Sequence, residues 1–139
     1  MNKKFDIIVY GATGFTGSLC VKYLKKNYSG LRWAVAGRNK EKLSLLCQET
    51  GVSCQVFVAE ANDSSALDNI TKTTKVVLST AGPFHRYGSK LVASCVKNST
   101  HYVDITGENF WVKQMIDQHH LEAKKKGCLL YTSPSPRDS

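Results

Sequence analysis

Five short, β-branched apolar runs, each ending at a glycine or in a small polar turn, alternate along this chain with stretches of helical periodicity. The runs are FDIIVY (5–10), LRWAVAG (31–37), CQVFVAE (54–60), KVVLSTAGPF (75–84) and HYVDITGE (101–108). They are nearly continuous in apolar character, which suits strands covered on both faces. Between them, Leu19, Cys20, Tyr23 and Leu24, then Leu43, Leu46 and Cys47, then Leu91, Val92, Cys95 and Val96 recur at three- and four-residue spacing. A further helix is expected over 110–126, through Val112, Met115, Ile116, His119 and Ala123. Parallel strands joined through helices require right-handed crossovers. The pattern therefore predicts an α/β fold: a Rossmann-type doubly wound parallel sheet, three-layer α/β/α, in a single domain. At 139 residues and 42% apolar content there is material for one core. CLLY (128–131) starts a candidate sixth strand.

Charge excludes less than it first promises. The net charge of +8 comes largely from lysines on the expected helix faces, such as Lys22, Lys25 and Lys26 and then Lys124, Lys125 and Lys126. No aromatics interleave with a compact basic stripe, so a nucleic-acid partner is not expected; strongly salt-dependent DNA affinity would be its mark. The five cysteines form no C-x-x-C pair, lie in or beside apolar stretches, and read as buried, reduced thiols. His119 and His120 are adjacent on a helix and point about 100° apart, so they cannot form an i, i+4 metal pair, and no metal is expected. The N-terminal apolar stretch is too short for a secretory signal, and no segment approaches the roughly 20 apolar residues of a membrane span. An intracellular, cytoplasmic location is the default expectation.

GATGFTG (11–17) occupies the first strand-to-helix turn, where open α/β sheets bind ligands. Gly11 can make the tight turn, Gly14 removes the side chain where a pyrophosphate would approach the backbone, and Gly17 allows helix and strand to pack closely. The helix amides and dipole then meet the phosphates. The G-x-x-G-x-x-G spacing is one residue wider than the usual fingerprint, and it gains weight from the strand before it and the helix after it. No Gly-Lys-Ser/Thr follows, which excludes a Walker-type loop.

The second strand ends in AGRNKEK, with no acid before Glu41. A carboxylate there would accept from a ribose 2′-hydroxyl, whereas Arg38 can bind a 2′-phosphate through paired, charge-assisted hydrogen bonds. Arg38 therefore selects NADP(H) over NAD(H). The AGPF turn (81–84) after the fourth strand would lie against the nicotinamide half, and Asp63 would either accept from the adenine amino group or cap a helix.

With these residues placed, the chain resembles the saccharopine dehydrogenase-like oxidoreductases, a group related to saccharopine dehydrogenases and to bacterial trans-acting enoyl reductases. The resemblance rests on FDIIVYGATGFTG, WAVAGRNKEKL, VVLSTAGPFHRYGSKLVASCVKNSTHYVDITGE and EAKKKGC, together covering nearly all of 5–128. It implies an N-terminal NADP-binding domain. Gly11, Thr13, Gly14, Phe15, Thr16 and Gly17 would carry the pyrophosphate, Arg38 and Asn39 the adenosine phosphate, and Ala81, Gly82 and Pro83 would line the nicotinamide side. Asp104 and Glu108 would sit at the cleft rim without a catalytic role. The resemblance also raises association with lipid droplets or organelle membranes and lipid-linked chemistry. Family members continue well past KKGC, whereas this chain ends in LLYTSPSPRDS. The expected domain is therefore 1–128, with 129–139 a non-native, disordered tail and the chain an N-terminal fragment.

The function expected is the cofactor half of an NADP(H)-dependent oxidoreductase acting on an unidentified small molecule. In hydride transfer the nicotinamide supplies the chemistry and the protein supplies orientation and a proton donor or acceptor. No such residue stands out. YGSK (87–90) has two intervening residues, not the three of the short-chain reductase Tyr-x-x-x-Lys. His85 and Tyr87 lie where a substrate could approach. The alternative is a non-catalytic NADP-binding sensor or scaffold module.

Overall fold

A computed structural model describes residues 3–51, 54–82, 84–104 and 109–132. Six strands, β1 (Phe5–Tyr10), β2 (Trp33–Gly37), β3 (Gln55–Val58), β4 (Thr74–Ser79), β5 (His101–Asp104) and β6 (Leu130–Thr132), form one sheet in the order β3-β2-β1-β4-β5-β6. All five pairings are parallel. The helices are α1 (Phe15–Asn27), α2 (Lys40–Thr50), α3 (Ser64–Thr71), the single turn α4 (Phe84–Tyr87), α5 (Ser89–Lys97) and α6 (Asn109–Lys126). The chain winds outward from β1 to β3, then returns to β4 and winds outward the other way. The order therefore reverses beside β1, and the carboxyl ends of β1, β2 and β4 open onto one cleft.

Alternate residues of the strands feed two cores. Ile8, Ala34, Ala36, Val77 and Tyr102 pack with Leu67 and Ile70 of α3, Leu91 and Cys95 of α5, and Trp111 and Met115 of α6. Val9 and Val35 pack on the other face with Val21 of α1 and Leu43 and Leu46 of α2. The buried stripe of α1 is Gly17 and Val21, with Cys20 and Leu24 partly covered, whereas Leu19 and Tyr23 are exposed. The apolar arc of α1 is wide enough to satisfy helical spacing in two registers, and close approach at Gly17 selects the one that buries Val21. Trp111, outside the apolar stripe expected for α6, is its deepest anchor at 2% exposure, while Ile116 is exposed.

The amino ends of the strands are locked by polar side chains. The Lys3 ammonium donates to Thr71 O, Asn98 O and Thr100 Oγ1 at 2.9–3.0 Å, using all three of its protons. Thr100 Oγ1 donates in turn to Thr71 O at 2.6 Å. Ser94 Oγ donates to Asp68 Oδ1 at 2.6 Å, so across the 2.8 Å Thr71–Ser94 contact the proton comes from Thr71, which itself accepts from Asn98 Nδ2. Lys97 closes the chain on Asp68 Oδ2 at 2.8 Å. These hydrogen bonds tie α3, α5 and the starts of β1 and β5 together.

Three expectations change. The sheet does not end at residue 128: Tyr102 N donates to Leu129 O at 2.8 Å and Leu130–Thr132 pair with β5, so the first four residues of 129–139 belong to the fold. An apolar Leu-Leu-Tyr beside an open sheet edge finds ladder partners whatever follows it. Residues 133–139 lie outside the described residues. The cysteines are free, but Cys95 and Cys128 alone are buried; Cys20 of α1, Cys47 of α2 and Cys54 before β3 are half-buried against the second core. Finally, the fourth run leaves the sheet after Ser79 as expected, but Phe84, expected in the AGPF turn, becomes a buried residue of α4.

Candidate cofactor site

The cleft floor is the glycine turn. Gly11 turns the chain out of β1 at φ +83°, and a Cβ there would lie 2.8 Å from Ala81 N. Gly17 is packed still more tightly: a Cβ would collide with Gly11 O and lie 2.8 Å from Ala12 Cα and Thr80 Oγ1. Gly14 differs from both, since a Cβ would meet only Gly11 O, at 3.5 Å. Its side faces open space, which is the room a phosphate needs to reach the backbone.

Capping separates α1 from its neighbours. Asn39 Oδ1 accepts from Lys42 N at 3.0 Å to cap α2, and Asp63 Oδ1 accepts from Ala66 N at 3.1 Å to cap α3. Gly14 caps α1 with no side chain at all, so the amides of its first turn are left for a ligand.

The walls come from the neighbouring strand exits. Gly37 and Arg38 leave β2 on one side; Thr80, Ala81 and Gly82 leave β4 on the other; Ala61, after β3, and Tyr87, at the end of α4, complete the lining with Tyr10, Thr13 and the turn itself. Thr80 Oγ1 lies 3.1 and 3.0 Å from Tyr10 O and Gly11 O, pinning the β4 exit to the glycine turn. Tyr10 donates to Ala59 O at 3.0 Å, and burial, reinforced by the Glu60 charge, pushes its pKa up to about 12, so it stays a neutral donor. Arg38 is exposed, and its guanidinium carbon lies 5.6 Å from the centre of the Tyr87 ring.

Of the residues expected to hold cofactor, Gly11, Thr13, Gly14, Arg38, Ala81 and Gly82 line this one cleft. Five others put their side chains elsewhere: Phe15 is 83% exposed, Thr16 faces an apolar groove with Leu19, Tyr23 and Leu78, Gly17 is buried against the turn, and Asn39 and Asp63 cap α2 and α3. Of the two roles open to Asp63, the cap is the one its side chain takes here. Pro83, Glu108 and the His85 side chain lie outside the described residues. Asp104, expected at the cleft rim, is 1% exposed and accepts from the Tyr102 hydroxyl at 2.5 Å; burial and that carboxylate push the Tyr102 pKa well above the ordinary value. Beside them lies the buried Ser79, whose side chain faces the Tyr102 hydroxyl.

Comparison with known proteins fits this geometry. Residues 7–130 match the family model of the saccharopine dehydrogenase NADP binding domain. A trans-acting enoyl reductase of Mycobacterium leprae is 41% identical over 129 residues, covering 91% of this chain and 31% of that protein. A lipid droplet localized protein of Caenorhabditis elegans is 36% identical over 139 residues, covering 94% and 33%. The chain thus spans about a third of the length of these relatives. The apo saccharopine dehydrogenase (L-Glu forming) of Saccharomyces cerevisiae shares the fold, with a TM-score of 0.75 at 19% identity over 96% of this chain and 28% of that one.

Proposed function

The chain belongs to the saccharopine dehydrogenase NADP binding domain family, and on that premise we propose that it is the cofactor-holding half of an oxidoreductase that moves hydride between NADP(H) and a lipid-linked, enoyl-type substrate. The family makes the cofactor class NADP(H). The observation that carries the reading is that Gly14, open toward solvent, and Arg38, at the next strand exit, share one cleft. In this reading the amides around Gly14 and the start of α1 receive the diphosphate, Arg38 receives the 2′-phosphate, and Ala81 and Gly82 give the nicotinamide ring a flat, backbone-lined wall. The bound nicotinamide supplies the hydride chemistry. The substrate class draws on the names of the two relatives, one an enoyl reductase and one localized to lipid droplets. Among the described residues no helix is long and apolar enough to cross a membrane.

Titration with NADPH and NADH, followed by cofactor fluorescence, tests the clamp. NADPH binds the more tightly, and Arg38→Ala removes about tenfold or more of that preference, the value of a charged hydrogen bond. Equal affinities, unchanged by the substitution, would sink the reading. A second reading has its own support. The titratable groups lining the cleft among the described residues are Tyr10, Arg38 and Tyr87, and the Tyr10 hydroxyl is engaged with Ala59 O. A domain that binds NADP(H) and reports it without turnover would show tight NADPH binding but no NADPH oxidation with enoyl thioesters.

A further inference from the structure

We propose that Tyr87 is a positioning residue that sets cofactor specificity, holding the Arg38 guanidinium across the cleft in readiness for a 2′-phosphate. The inference rests on the reading of Arg38 as the phosphate clamp. Arg38 leaves β2 and Tyr87 follows β4, the two strands that flank β1, so their contact joins opposite walls above the glycine turn. At 5.6 Å from the ring centre the guanidinium is within cation–π range. A guanidinium laid flat on a ring keeps the N–H donors that grip a phosphate, which lie in its plane, free. No carboxylate pairs with Arg38 among the described residues, so the aromatic ring restrains it without competing for those donors.

Tyr87 is itself held from behind. Trp111 of α6 stacks on Phe84 with ring centres 5.9 Å apart, and its Nε1 donates to Ser89 Oγ at 2.9 Å. Gly88 fits beneath the same indole, where a Cβ would lie 2.7 Å from Trp111 Cζ2, and Gly88 N donates to Phe84 O at 2.7 Å. The residues on both sides of Tyr87 are therefore clamped to a buried tryptophan, and the tyrosine is presented to the cleft from a fixed turn. An exposed arginine otherwise samples many rotamers, and restraining it in advance lowers the ordering cost of binding.

The test compares Tyr87→Phe, which keeps the aromatic face, with Tyr87→Leu, which keeps apolar bulk and loses it. Kd values for NADPH and NADH are measured on both and on Arg38→Ala and the Arg38→Ala/Tyr87→Leu double variant, with thermal midpoints confirming folding. Tyr87→Leu weakens NADPH about two- to fivefold, the size of an exposed cation–π contact, and leaves NADH unchanged. Tyr87→Phe retains the wild-type ratio, and in the Arg38→Ala background Tyr87→Leu has no further effect. Equal loss for both cofactors would assign Tyr87 to a shared part of the dinucleotide and overturn the inference, as would loss in Tyr87→Phe, additivity in the double variant or no effect of Tyr87→Leu. If Arg38→Ala abolishes the preference while Tyr87→Leu does nothing, the clamp stands and this inference alone fails. If Arg38→Ala changes nothing, both fall together.

Discussion

The two ends of this sheet use polar residues in opposite ways. At the amino ends of the strands Lys3, Asp68, Thr71, Ser94, Asn98 and Thr100 satisfy one another in a chain of hydrogen bonds that reaches from before β1 to the start of β5. At the carboxyl ends an uncapped helix, an exposed arginine and an open glycine point into a cleft. A polar cluster whose donors and acceptors close on themselves stabilises the fold and offers a ligand nothing. One whose groups are left open costs stability unless something else pairs with them. Substitutions at the amino end should therefore change stability and spare cofactor choice, and those at the carboxyl end should do the reverse.

Gly17 breaks that division and gives the largest expected effect. It belongs to the cleft turn by sequence and to the core by packing, with backbone atoms that cannot yield to a methyl group. Gly17→Ala should cost about 3 kcal/mol in denaturant unfolding, the upper part of the overpacking range. Gly14→Ala should leave stability within about 0.5 kcal/mol while weakening NADPH binding. If the two glycines behaved alike, the distinction between packing and ligand-facing glycine would be lost.

Next in size is Thr71→Val, which strands a donor on Asn98 and an acceptor on Ser94 at a site that is fully buried. Leaving such groups unmet should cost about 2 kcal/mol. The ratio of NADPH to NADH affinity should stay at its wild-type value, and a shift in that ratio would show that the amino end communicates with the cleft. Arg38→Ala is the mirror experiment, with a loss of NADPH preference of about tenfold (roughly 1.4 kcal/mol) and an unchanged unfolding midpoint.

The smallest effect is an acid one. Hydrogen bonds from Lys97 and then Ser94 hold the Asp68 carboxyl below its ordinary value of 3.8, and Arg32 holds that of Asp6 down to about 2. Both folded values are depressed, so their contribution is fully present above the ordinary carboxylate value and is lost as pH falls through the folded ones. Unfolding free energy measured from pH 6 to pH 2 should fall in the lower half of that range, and Asp68→Asn should flatten part of the slope. A wild-type slope in Asp68→Asn would remove Asp68 from the lock.

Much of this was legible in the residues. The alternation of continuous apolar runs with helical periodicity led to parallel strands, because only a sheet covered on both faces buries such runs. The glycine spacing and Arg38 located the cleft through local rules of strand exit and helix entry. Asp63 carried two meanings in one signal, since a residue placed to cap a helix is also placed to face a cofactor; an amide three residues away takes its carboxylate as the cap. The Trp111 anchor and the shifted stripe of α1 were harder to see, as each depends on which neighbour an apolar residue finds.

Sequence alone determined the order of elements, the sense of their winding and the place of the glycine turn at the first strand exit, because these follow from spacing along a chain with fixed helix and strand periods. Tertiary structure alone decided that Gly17 packs while Gly14 stays open, that Thr80 pins the turn, and that Tyr87 reaches Arg38 across 49 positions of sequence. Such contacts join strand exits that are distant along the chain and adjacent in the sheet. No local pattern encodes them, since the strand order that brings them together is itself a product of the whole core.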